Sequence, residues 1–313
     1  MIDMVTVRTG SKGRIVVALQ RALQARGEVV SVDGVAGPQT MRAAARVLGL
    51  PEVAPLSSAE LSRLGVPLVY GIDLSGHNEG GNKPEVDFQR VHAAGIRFCY
   101  LKLTEGTSYR NREATRQASE CRRYGIAAGG YHFADPSARR ALDLVDLGLD
   151  AKAEADHYVE VRREVFGKRG PQLFDMLDLE RTYRADLSAA AWAAIGGTSR
   201  RRAELAALWC LSWRAVVKAS TGAAPAGLYT GKWAWDAYLK AAPEAVLAEL
   251  RASPLWLASY NTGAEPARQI PGYPWAIWQY SGSGSVPGVT GKCDLNVMLE
   301  ADLASLRLPL RVA

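Results

Sequence analysis

The chain has 313 residues, 48% of them apolar and 22% charged, with a formal charge of +6. That length exceeds the comfortable size of one core and suggests a large domain joined to a small one. No apolar run is long enough for a bilayer span, so stable membrane association is not expected, and MIDMVTVRTGSKGR has acidic and polar residues where a standard export signal would carry a basic and then an apolar stretch.

From Ser11 to Gly27 the residues Ile15, Leu19 and Leu23, helped by Val16 and Ala22, recur at helical spacing, and Gly27 stops the run. Asp33-Gly34 reads as a turn, and Gly37-Pro38 starts a second helix with Met41, Ala45 and Leu48 on one face. Ser57 and Glu60 have capping-box spacing for a third short helix closed by Leu61 and Leu64. A small three-helix domain is therefore expected over residues 1–66 and a second domain over 67–313.

Beyond Pro67, short β-rich runs alternate with longer helical stretches, the pattern of parallel strands joined by helices. Strands are expected at 68–73, 97–103, 126–132, 172–180, 226–230, 255–260 and 275–280, and helices at 85–94, 113–124, 138–166, 187–220 and 233–250. The tally predicts an α/β barrel. It should be irregular, because after Ala258 the helices stop while strands continue.

In a parallel barrel the strand C-termini carry the active site. Here those ends are acidic: Asp73 on the first strand, Asp178 and Glu180 on the fourth, and Asp294 with Asn296 in the late segment KCDLNV. Alternation along a strand puts Asp178 and Glu180 on one face, with Leu177 and Leu179 on the other. Like charges forced together raise at least one pKa, which a general acid needs at neutral pH. Glu180 is the expected proton donor to a glycosidic oxygen. Asp178 is expected to stay ionised, stabilising positive charge on the sugar or orienting its acetamido group.

Carboxylates at strand ends also cap helices or sit in solvent, but here aromatic groups accompany them: Tyr131-His132-Phe133, Tyr229, Trp256 with Tyr260, and Trp278 with Tyr280. Aromatic faces stack on sugar rings, whereas Trp192, Trp209 and Trp213 on the helices are expected to fill the core. Lys102 and Glu105 are expected to brace the site as an ion pair, with substrate contact by Glu105 the alternative. His132 is expected to bind a carboxylate or a sugar hydroxyl, a packed histidine being the alternative, and Asp175 is expected at the surface or in a loop. The four histidines and four cysteines form no HExxH or CxxC pattern, so neither metal nor cofactor is expected and the thiols should be reduced. The arginines lack a recognised module and interleaved aromatics, which leaves nucleic acid unsupported as a partner.

Five segments occur in order: YGIDLS at 70–75, KLTEG at 102–106, GGYHF at 129–133, LDLE at 177–180 and WQYSGSGSVPGVTGKCDLN at 278–296. Together they resemble glycoside hydrolase family 25, the lysozymes of the Chalaropsis type, over Tyr70 to Leu299. The resemblance implies an irregular barrel of the (β/α)5β3 type. It also implies cleavage of the β-1,4 bond between N-acetylmuramic acid and N-acetylglucosamine in bacterial peptidoglycan. By similarity Glu180 is the general acid, Asp178 the neighbour that steers the substrate N-acetyl group, and Asp73 and Asp294 the flanking active-site aspartates. Substrate contacts are expected from Lys102, Glu105, Tyr131, His132, Phe133, Tyr229, Trp256, Tyr260, Gln279 and Asn296.

The stretch VRTGSKGRIVVALQRALQARG followed by VDGVAGPQT resembles the small helical peptidoglycan-binding domain of many wall hydrolases, departing from it where the second helix ends in ARVLGL. Such a modular enzyme resembles a bacteriophage endolysin, a monomer held in the host cytoplasm until it reaches the cell wall. A chitinase or endo-N-acetylglucosaminidase is the rival enzyme, although Met176 replaces an aspartate of the DxxDxDxE strand of those barrels. A non-catalytic wall-binding protein is disfavoured by the intact acids.

Overall fold

The computed structural model describes residues 5–51, 54–136, 144–181, 197–222, 224–261 and 263–308. Three helices open it: α1 (Arg14–Gln24), α2 (Pro38–Leu48) and α3 (Ser58–Arg63). Ile15, Leu19 and Leu23 share one face of α1 and are fully buried, each contributing ~1.5–3 kcal/mol over an exposed position. Between them, buried Gln20 donates to Asp33 Oδ1 (2.7 Å) and Val35 O (3.0 Å) and accepts from Gly34 N–H (2.8 Å), which pins the Asp33-Gly34 turn to α1. Pro38 occupies the first turn of α2, and Ser57 with Glu60 closes the capping box of α3.

The strands follow in chain order as β1 (Leu68–Leu74), β2 (Ile96–Glu105), the two-residue β3 (Tyr109–Arg110) folded back on β2, β4 (Ala127–Phe133), β5 (Met176–Asp178), β6 (Gly227–Gly231), β7 (Leu255–Ala258), β8 (Trp275–Gly284) and β9 (Cys293–Leu299). All but β3 form a closed barrel in the order β1-β9-β8-β7-β6-β5-β4-β2, shut by the pairing of β1 with β2. Only β9 runs antiparallel within it, against both β8 and β1. Helices α4 (Phe88–Ala93), α5 (Ala114–Arg123), α6 (Leu144–Phe166), α7 (Ser199–Thr221) and α8 (Glu244–Arg251) join successive strands as far as β7, after which loops take over. Five strand-helix units followed by three strands make the expected (β/α)5β3 barrel. Its interior is packed with Phe98, Tyr100, Met176, Trp256, Ile277 and Met298. Gly129 lets Tyr100 lie across the barrel, since a Cβ there would overlap the tyrosine ring.

Several expectations are corrected. A further helix, α9 (Glu300–Leu306), follows the last strand, burying Leu303 and Leu306. The fourth strand is shorter than 172–180, because the Phe174 N–H bonds Leu306 O at the end of α9 instead of joining the sheet. The stretch 233–250 is broken into a turn at Lys232–Ala234, a π-helical turn at Trp235–Leu239 and α8, with Pro243 capping α8 and preventing a continuous helix. Asp175 is buried, not superficial: Tyr158 Oη (2.6 Å) and Arg162 Nε (2.7 Å) both donate to its Oδ1, anchoring α6 to the base of β5. Trp209 and Trp213 are core residues as expected, whereas Trp192 and parts of the 138–166 and 187–220 stretches lie outside the described residues. All four cysteines are buried and free.

The three helices pack against the barrel, with Arg14 bonded to Asp302 on α9 (2.9 Å) and stacked over the Trp275 ring. Among the described residues no helix is long and apolar enough to cross a membrane.

Candidate active site

Strand register builds the site. Phe133, Asp178, Tyr229 and Trp256 pair side by side across β4, β5, β6 and β7, so they form one row at the C-terminal end of the parallel strands. Leu177 and Leu179, pointing the other way, are fully buried beneath the helices. Glu180 lies two residues beyond Asp178, past the end of β5, but the chain is still tied to β6: Leu179 N–H bonds Tyr229 O (2.9 Å) and Thr230 Oγ1 donates to Leu179 O (2.9 Å). Alternation therefore persists, and Asp178 and Glu180 line one cleft with Asp73, Lys102, Tyr131, Phe133, Tyr229, Trp256, Tyr260, Gln279 and Asp294. The cleft measures about 180 Å³.

On its far side Asp73 and Asp294 face each other across the β1–β9 pair. Asp73 Oδ2 accepts from Gln279 Nε2 (2.9 Å) and Asn296 Nδ2 (2.8 Å), and a hydrogen bond joins the two aspartates. Burial, reinforced by the Asp294 charge, pushes Asp73 well above the usual carboxylate range, and burial raises Asp294 as well while its bond to Asp73 opposes the rise. Burial thus favours one proton held in common by the pair. Gln279 Oε1 accepts from the hydroxyls of Tyr229 (2.7 Å) and Tyr260 (3.2 Å), so one glutamine connects the aspartate pair to both tyrosines.

Asp178 sits at the floor. Its Oδ1 is buried with no hydrogen-bond partner among the described residues. Burial, then the Glu180 charge, pushes it well above the carboxylate range, with Lys102 opposing. Glu180, half-buried nearer the opening, is raised by burial and by Asp294 while the Tyr229 hydroxyl pulls it back. Burial thus works against ionisation of both acids, and more on Asp178, the deeper of the two, which the sequence expects to be ionised.

Lys102 Nζ bonds Glu105 (2.6 Å), and Arg181, which the sequence did not single out, takes the other Glu105 oxygen (2.7 Å). Both cations lie over the Phe133 ring, at 4.5 and 4.9 Å from its centre. Burial alone would raise Glu105, but its bond to Lys102 and the charges of Lys102 and Arg181 outweigh burial and hold it below the carboxylate range. Glu105 is therefore the bracing residue, and Phe133 is engaged by cations.

Three sugar-contact expectations are corrected. His132 does not reach the cleft: it is fully buried, stacked on Trp213, with Nδ1 on Thr104 Oγ1 (2.7 Å) and Nε2 on Glu154 (2.7 Å). A histidine and a carboxylate this close suggest an ion pair, but burial drives His132 down to about 3 and Glu154 up to about 8. We assign a neutral pair in which Glu154 donates to the ring. Asn296 is fully buried behind the cleft, holding Asp73 and accepting from Trp256 Nε1 (2.8 Å). Trp256 lines the cleft, yet Tyr100, Tyr131 and Tyr229 pack around its ring, which leaves no free face for a sugar. Trp278 and Tyr280 are likewise buried. Tyr260 is 64% exposed at the mouth. Ser75 and His77, just past Asp73, also line the cleft; the strand-end rule that picked Asp73 would have found them two and four residues on.

A larger cleft of about 990 Å³ is lined by Glu79, Tyr109, Arg110, Arg112 and Glu113. It lacks converging buried acids and is set aside as a reaction site. Among the described residues no group of three or more His, Cys, Asp or Glu side chains is placed to hold a metal ion.

A proton-bearing carboxyl beside a second one, in a groove flanked by hydroxyl-recognising groups, is the equipment of carboxylate glycosidases. Residues 72–289 match the family model for glycosyl hydrolases family 25, and the chain belongs to that family; it is a glycoside hydrolase. It is 29% identical over 229 residues to Lysozyme M1 of Streptomyces globisporus, an alignment covering 73% of this chain and 67% of that protein. The spore cortex lytic enzyme SleM of Clostridium perfringens, 26% identical, matches with a TM-score of 0.55 over 77% of this chain and 70% of that one. The catalytic domain of endolysin ply40 from bacteriophage P40 of Listeria monocytogenes, 20% identical, shares the fold at a TM-score of 0.56 over 76% of this chain and 97% of that domain. The family match begins at residue 72, so the three-helix unit lies outside it.

Proposed function

We propose that this protein is a peptidoglycan muramidase, hydrolysing the β-1,4 bond between N-acetylmuramic acid and N-acetylglucosamine. The observation that carries the proposal is the convergence of Asp178 and Glu180 with the Asp73–Asp294 pair on one open cleft. Similarity to a protein named a lysozyme supports the choice of bond. Glu180, nearer the opening, protonates the glycosidic oxygen as the C–O bond breaks. The unpartnered Oδ1 of Asp178 accepts the substrate acetamido N–H, a bond that favours the ionised form and leaves the proton with Glu180. Asp178 then offsets positive charge on the sugar, and water adds to the anomeric carbon as its proton passes to the Glu180 carboxylate, which restores the acid. Asp73, held by Gln279 and Asn296, keeps Asp294 in place across the groove.

The three-helix unit is proposed as a wall-binding module, on the strength of its G-x-x-G, LQ-x-x-L and DG-x-x-GP-x-T elements. With it the enzyme suits lysis of a bacterial host from within at the end of phage growth, after waiting in the host cytoplasm. Digestion of purified peptidoglycan followed by mass spectrometry tests the reading. New reducing N-acetylmuramic acid ends are expected; reducing N-acetylglucosamine ends would identify the chitinase-like rival, and intact strands a non-catalytic binder.

A further inference from the structure

We infer that the three-helix unit is a working part of the catalytic cleft, with Glu265 the positioning residue that ties its first helix to the loop presenting Tyr260; this rests on the hydrolase reading above. The N-terminus of α1 has no cap of its own. Its N-cap is Gly13, at φ 111° and ψ −160°, which has no side chain to cap it, and among the described residues of its own unit no side chain is seen bonding the first-turn N–H groups. Glu265, from the loop after β7, supplies the acceptor instead: Oε1 takes the Ile15 N–H (3.0 Å), and Oε2 takes Trp275 Nε1 (2.7 Å). An exposed helix start is normally met by a residue one to three positions away. Here the acceptor comes from 250 residues further along the chain.

Gly13 is fitted to this arrangement. Its positive φ disfavours any side chain, and a Cβ would overlap the Glu265 side chain. Arg14, the next residue, holds the other side of Trp275, bonding its carbonyl and Asp302.

The same loop reaches the cleft. Asn261 Nδ2 donates to Glu265 O (2.9 Å), while Asn261 Oδ1 accepts from Ala267 N–H (2.9 Å) and Ser259 Oγ (3.3 Å). Ser259 Oγ accepts from Arg268 N–H (3.1 Å), and Ser259 O accepts from Trp278 Nε1 (2.7 Å). Tyr260 stands between Ser259 and Asn261, its hydroxyl on the glutamine that holds Asp73. One end of the loop is fastened to α1 and the other sets the cleft mouth. Releasing Glu265 from α1 frees the segment that orders Tyr260. By linkage, a glycan that clamps Tyr260 tightens the docking of the helices.

The test uses the full chain and a soluble peptidoglycan tetrasaccharide, followed by calorimetric binding and turnover. Glu265→Ala is expected to raise Kd and KM roughly five- to twentyfold with kcat nearly unchanged. Glu265→Gln, which keeps an acceptor for Ile15 N–H, should recover most of the loss. Gly13→Ala should reproduce the defect from the other side of the contact, and the double variant should be no worse than either single one. Variants that melt earlier but bind the tetrasaccharide normally, or losses that simply add, would overturn the inference. Amide hydrogen exchange at Ser259 to Asn261 decides it independently of hydrolysis. Gly13→Ala should speed exchange there by roughly tenfold, and unchanged exchange refutes the coupling. A wild type that neither binds nor cuts the tetrasaccharide sinks the hydrolase reading alone, because the exchange measurement still reports whether loop and helix are joined.

Discussion

Replacing Asp178 with asparagine should raise stability and lower activity together, and the pH dependence identifies the cause. Asp178 is buried, one oxygen has no partner among the described residues, and burial with the Glu180 charge pushes its pKa well above the carboxylate range. An aspartate in the unfolded chain titrates near about 3.9. Above that pH the unfolded chain releases its proton while the folded one keeps it. The contribution of the protonated group is therefore fully present below the unfolded value and is lost, at ~1.4 kcal/mol per pH unit, as pH rises toward the folded value. Asparagine resembles the protonated acid in shape and cannot ionise, so it escapes this loss. Urea denaturation should find the variant equal to wild type near about pH 4 and progressively more stable above it. Turnover of soluble glycan should fall about 100-fold, since a neutral amide cannot offset charge on the sugar. A variant destabilised equally at every pH would mean that Asp178 is ionised in the resting protein, and the proton assignment would fail.

Asp175→Ala strands the Arg162 guanidinium in the barrel wall and should cost ~3–5 kcal/mol by urea titration; a loss within experimental error would show that the pair is spectator to folding. Lys102 holds down both Asp178 and Glu180, so Lys102→Met should raise the pKa of Glu180 and carry the alkaline limb of kcat/KM to higher pH. A shift to lower pH contradicts the role given to Glu180. Tyr260→Ala removes an exposed side chain at the mouth and should raise KM by about tenfold, equivalent to ~1.4 kcal/mol, with the melting temperature unaltered. An unchanged KM would take Tyr260 out of the substrate contacts.

The alternation of strands and helices wrote the barrel legibly, because five parallel crossovers impose two distinct periodicities on the sequence. The Asp178 and Glu180 face was equally plain, since period two leaves no other choice once Leu177 and Leu179 are buried. β9 (293–299) falls outside the strands expected from the sequence, and its antiparallel course emerged only from its pairing with β8 and β1. His132 and Asp175 show a second limit. Each is a polar residue on or beside a strand, and its role depends on a partner elsewhere: Glu154 lies 22 residues from His132, and Arg162 lies 13 from Asp175. Nothing local reveals such a partner. The upward push on Asp178 is hidden for a related reason, because depth in the cleft, not residue type, sets its desolvation.

The most direct measurement compares Glu180→Gln with wild type on two substrates, natural peptidoglycan fragments and a synthetic glycoside with an acidic phenol as leaving group. A phenolate departs without a proton, so only the natural bond needs the Glu180 carboxyl. The variant should lose about 10²–10⁴-fold in rate on peptidoglycan and little on the aryl glycoside. Near-normal rates on both, or equal losses on both, would contradict Glu180 as the proton donor and with it the mechanism proposed for this cleft.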